Sequence, residues 1–138
     1  VGPAAVAGEA RDLDRRGTEL GQQWTARSSG WLRLICALLI GDAAEAVPLC
    51  KLNIERTVLA TGTIDHVTFE ARGDTAIVAG DLTGGVRFLG WSRSIAYRNG
   101  NLWPLTALTE QLLDRARVAL SPEAFDTAWR DGEAGQGI

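Results

Sequence analysis

Few residues in this chain have a type and spacing suited to chemistry. The one histidine, His66, follows Asp65. A histidine oriented by a carboxylate can act as a general base. Adjacent residues on a helix point away from each other, so the pair is poorly placed for that role. Cys36 and Cys50 form no CxxC and have no histidine nearby, so a metal or redox motif is not indicated. They flank Gly41 and read as buried free thiols on facing helices, packing as small apolar groups. No catalytic residue, cofactor or metal is expected. Binding is the better reading. Arg27 and Trp31 share one stretch, and the two can grip an acidic peptide. Trp103 precedes Pro104 in an expected loop and is the tryptophan read as partly exposed. Arg27, Trp31 and Trp103 are therefore the candidate partner-binding residues. Trp24, Trp31, Trp91 and Trp129 all fall on apolar stripes that predict core packing. The RGD tripeptide at Arg72 reads as a chance match.

The elements that must position these residues are announced by glycines. Gly21, Gly41, Gly62, Gly80 and Gly100 are separated by 20, 21, 18 and 20 residues. Sliding the chain by 39 residues lays CALLIGDAAEAVPLC, from Cys36, over TAIVAGDLTGGVRFL, from Thr75. Segments of this length plus a short turn are helices, and two of them make a helical hairpin. Glycine supplies the left-handed residue that ends a helix, and the aspartate after it caps the next. Asp42-Ala43-Ala44-Glu45 has the form of a capping box. The spacing predicts an all-α fold of six to seven helices, with antiparallel hairpins stacked as a short solenoid in a single domain over 1–138. Helical repeats are expected over about 5–100, a closing helix pair over about 105–132, and a flexible tail over 133–138.

Side-chain periodicity agrees. Trp24, Trp31, Leu34, Ile35 and Leu38 form one stripe, and Phe88, Trp91 and Ile95 another. Gly90 beside them lets a neighbouring helix come close. Leu105, Leu108, Leu112, Ala116 and Leu120 keep helical spacing. Ser121-Pro122-Glu123 then starts a last helix whose buried face is Phe125, Ala128 and Trp129. Pro48 predicts a kink or a later helix start. Arg72-Gly73-Asp74, Gly84-Gly85 and Asn99-Gly100 are poor helix sequence. Read as hairpin turns, they support an alternative: an NTF2-like α+β cup, a small-molecule-binding domain or an isomerase- or cyclase-type enzyme.

Composition narrows the partners. Fourteen basic residues against seventeen acidic ones give a net charge of −3, and the arginines are scattered among acids. Such a chain has no basic face for phosphates, so direct nucleic-acid binding is not expected. The longest apolar run, LICALLI, is too short for a membrane span. Cytoplasmic location is the expectation. A start at Val1 without any methionine reads as a trimmed chain or a piece of a longer one.

With the corners placed, nearly the whole chain resembles the degenerate tetratricopeptide-like repeats at the C-terminal side of large actinobacterial regulators. These include LuxR-type and other ATPase-containing transcriptional regulators and adenylate-cyclase-like proteins. TELGQQWTARSSGWLRLICALLIGDAAEA resembles a repeat that turns at Gly-Asp. AGDLTGGVRFLGWSRSI resembles the Gly-Asp and the apolar stretch after it. LLDRARVALSPEAFDTAWRDGEA resembles the closing pair, with Ala128, Trp129 and Gly132 in place after Phe125. The nucleotide-binding GxxxxGK[ST] loop has no counterpart here, and Gly84-Gly85 and Arg72-Gly73 replace good helix formers. The resemblance implies a scaffold that binds a protein or peptide partner, or the other domains of a parent bacterial regulator, and it allows a homo-oligomer. It also implies that first helices such as the one carrying Arg27 line the binding face.

Overall fold

The computed structural model describes residues 2–100 and 107–135, with residues 23–25 described by their backbone alone. The described chain is helical throughout and contains no strand. Its helices are α1 (Pro3–Glu19), α2 (Gln23–Ile40), α3 (Ala43–Thr61), α4 (His66–Val78), α5 (Leu82–Arg98), α6 (Ala107–Ala119) and α7 (Pro122–Glu133). They fall into two compact units, Val1–Thr63 with α1 to α3 and Ile64–Ile138 with α4 to α7.

The glycine rhythm is the corner rhythm. Gly21, Gly41, Gly62, Gly80 and Gly100 all take positive φ, between 66° and 94°. A Cβ is strained there, which is why glycine recurs. The two corners related by the 39-residue register have the same hydrogen bonds. Gly41 N–H donates to Leu38 O and Asp42 N–H to Ala37 O, at 3.2 and 2.9 Å; Gly80 and Asp81 donate to Ile77 O and Ala76 O at 3.1 and 2.9 Å. Each aspartate then caps the next helix, Asp42 accepting from Glu45 N–H and Asp81 from Gly84 N–H. The capping box stays half-made. Glu45 does not reach back, because its carboxylate is held by Arg11 and Arg33.

The hairpin alternative is overturned. Arg72-Gly73-Asp74 and Gly84-Gly85 lie inside α4 and α5, and Asn99-Gly100 ends α5. Gly73 and Gly85 are interlocks between the two helices. A Cβ on Gly73 would come within 2.6 Å of Leu89 Cγ and 3.0 Å of Gly85 O, so α4 and α5 touch backbone to backbone. Gly90 meets α7 in the same way, 2.6 Å from Trp129 O. The helix propensity lost at each glycine, about 1 kcal/mol, is offset by packing that only a bare Cα permits. Pro48 sits inside α3, which still begins at Ala43 rather than later.

The second unit has the richer core: Ile77, Val86, Leu89, Leu112, Leu113, Ala116, Phe125 and Ala128. Burying side chains such as Leu89 and Ile77 fully contributes about 1.5–3 kcal/mol each. In the first unit alanines (Ala7, Ala10, Ala26, Ala37, Ala46) outnumber leucines among the buried residues, and ion pairs also join its helices.

Candidate functional site

A groove runs beside α7 in the second unit. Its main part has a volume of about 550 Å³ and is lined by Arg93, Arg117, Pro122, Phe125, Asp126, Trp129 and Glu133. It continues past Arg93 and Glu133 to Ser94, Tyr97 and Arg98. The sequence explains its shape. Ala128 and Gly132 are small, one turn apart, and let α7 sit directly on α5. Trp129 is displaced to the flank, half-buried, where its ring stacks near-parallel to Phe125 at 6.4 Å between centroids. Arg93 of α5 stands 5.9 Å over Trp129, and Arg117 of α6 4.9 Å over Phe125. Arg117 also pairs with Asp114 at 2.7 Å, whereas Arg93 makes no ion pair. Cation–π contacts of this kind contribute about 0.5–1 kcal/mol at exposed sites. They hold two guanidinium planes beside an aromatic floor, with Asp126 and Glu133 along the α7 edge.

The residues singled out from sequence lie elsewhere or do other work. Arg27 and Trp31 stand half-buried one turn apart on α2, and the groove includes neither. Trp103 lies outside the described residues, as does the side chain of Trp24. Cys36 and Cys50 are both buried, as expected, and no disulfide joins them. His66 opens α4, and its carbonyl accepts from Ser92 Oγ at 2.7 Å. The Asp65 carboxylate caps α4, accepting from Thr68 N–H and Thr68 Oγ1, both at 3.0 Å. The His66–Asp65 relay is not built. Phe125 and Ala128 are buried as predicted; Trp129 is partly buried, packing against the same core and also walling the groove.

Two polar clusters escaped the sequence reading. In the first unit a ladder joins three helices. Asp14 of α1 accepts from Arg33 of α2 at 2.7 Å and Arg56 of α3 at 3.1 Å. Arg33 also reaches Glu45 at 3.2 Å, and Glu45 accepts Arg11 through both oxygens, at 3.1 and 2.9 Å. The hydrogen bond from Arg11 holds the Glu45 carboxyl below the usual range, with Arg33 adding to it against the cost of burial. In the second unit Glu70 and Asp74 are buried one turn apart on α4, facing Thr109 of α6. The available signal was the spacing of two acids amid Ala71, Gly73 and Ile77, a stripe too apolar for a solvated face.

Among the described residues no helix is long and apolar enough to cross a membrane. No family model, curated protein or solved structure matches this chain.

Proposed function

We propose that the chain is a noncatalytic helical scaffold that binds a protein or peptide segment, or another domain of a parent bacterial transcriptional regulator. The observation that carries this reading is the α7 groove, where Arg93 and Arg117 stand over Trp129 and Phe125. Tryptophan and arginine are the side chains that most often dominate binding energy at interfaces. Arg93 has no ion-pair partner of its own, so a carboxylate arriving beside an apolar side chain gains both a charge and an aromatic contact. Asp126 and Glu133 on the opposite edge favour a peptide of mixed charge and disfavour a polyanion. The tetratricopeptide-like resemblance supports the same role. A further surface exists on α2, where Leu32, Ile35 and Leu39 recur at helical spacing and are exposed.

The test is selection of displayed random peptides against the wild-type chain, followed by binding to Arg93→Glu. Arg93 is exposed, so charge reversal leaves the fold intact. Selected peptides should carry an acid next to an apolar residue and lose about 30-fold in affinity on the variant, as expected for about 2 kcal/mol at a binding hot spot. Peptides that bind both chains equally would refute the groove.

A further inference from the structure

Helices α4 and α6 meet across two carboxyl groups and one hydroxyl. Asp74 is 4% exposed and Glu70 8%, and Thr109 of α6 is fully buried against them. Thr109 Oγ1 lies 2.8 Å from Asp74 Oδ2 and 3.0 Å from Glu70 Oε1. A hydroxyl has a single hydrogen, so it donates to one carboxylate and no more. The other short O···O contact needs a hydrogen from the acid itself. Two ionised carboxylates around one buried hydroxyl would repel each other at short range in a poor dielectric. No cation relieves Asp74: Arg72 of its own helix, Arg87 and Arg93 of α5, and Arg115 and Arg117 of α6 all stand beyond ion-pair distance.

We propose that Asp74 holds a proton in the folded chain and that the Glu70–Asp74–Thr109 cluster is a proton-dependent latch fastening α6 to α4. The Asp74 carboxyl donates through Oδ2 to Thr109 Oγ1, and Thr109 donates to Glu70 Oε1. Asp74 Oδ1, buried without a partner, is then a neutral carbonyl oxygen rather than half of a charge. Burial pushes the Asp74 carboxyl up to about 7 from an ordinary 3.8; the Thr109 hydrogen bond opposes the rise and the Glu70 charge adds to it.

The sign follows from linkage. A raised folded value means the folded chain binds the proton more tightly than the unfolded chain. The latch contributes fully below 3.8, weakens as pH rises, and is gone above about 7. Because α6 also carries Arg117, its release takes away one wall of the groove. That last step rests on the groove reading; the latch does not.

The test is thermal unfolding of the wild-type chain and of Asp74→Asn from about pH 5 to about pH 8.5. An asparagine amide donates to Thr109 at every pH, so the wild-type melting temperature should fall relative to the variant as pH rises, the gap levelling off above neutrality. A gap that stays constant with pH gives Asp74 a packing role alone and overturns the latch. If Asp74→Asn does not fold, Glu70→Gln serves. Removing the neighbouring charge should move the wild-type fall to lower pH, and an unmoved midpoint overturns the latch equally.

Discussion

Asp14 and Asp74 are buried to nearly the same degree, 6% and 4% exposed, one in each unit. Asp14 accepts from two arginines that arrive on different helices. Asp74 shares one hydroxyl with a second acid and has no cation. Burial alone therefore does not decide what a carboxylate does; the partner brought by the neighbouring helix does. Each unit's polar cluster matches its packing. The alanine-rich first unit leaves room for long guanidinium groups between helices. In the second unit Gly73, Gly85, Gly90 and Gly132 bring backbones into contact, and a compact hydroxyl meets the two acids.

The comparison breaks most severely at the interlock. Gly85→Val should cost the second unit at least about 3 kcal/mol, the upper end for overpacking, because its Cβ would meet Gly73 O, a backbone atom that cannot turn aside. Gly30→Ala is the control in the first unit. The atoms nearest its Cβ belong to the Asn53 and Arg56 side chains rather than to backbone, so chemical denaturation should show a loss of about 1 kcal/mol. Equal losses would mean the two units do not differ in packing.

Next in size is the arginine ladder. Asp14→Ala leaves Arg33 and Arg56 without their shared acceptor. Breaking a fully buried pair costs about 3–5 kcal/mol. The two arginine side chains are 21% and 26% exposed, so solvent reduces the expected loss to about 2 kcal/mol. Unfolding in about 1 M salt should shrink it little, since partly buried pairs are weakly screened. A loss below about 0.5 kcal/mol would reduce the ladder to a surface pair.

The smallest effect sharpens what the units share. Asp42→Ala and Asp81→Ala each remove one N-cap hydrogen bond and should each cost about 1 kcal/mol. Unequal costs would show that the shared corner geometry is not shared energetically.

The sequence disclosed what is local. Left-handed glycines and capping aspartates act within a few residues of themselves, so all five corners and the all-α class were legible in the spacing of Gly21, Gly41, Gly62, Gly80 and Gly100. Gly73 and Gly85 misled, because their value lies in the helix that each of them meets. The same holds for the candidate site. Arg93 and Arg117 belong to different helices from the Trp129 and Phe125 they cover, and no local pattern records that meeting.

The most direct measurement is a carbon-13 titration of the side-chain carboxyls, followed by NMR in the wild-type chain. Glu45, held by Arg11 and Arg33, should titrate below the ordinary carboxyl value, so the stability it contributes is present above 4.5 and is lost as pH falls through its folded value. Asp74 should titrate at about 7, with the opposite sign: stability present below 3.8 and lost as pH rises. Linkage at about 1.4 kcal/mol per pH unit makes the Asp74 contribution about 4 kcal/mol across that range. Two carboxyls moving apart, one acidward and one to neutrality, is the predicted result. Both titrating together near the ordinary value would contradict the contrast between the two units.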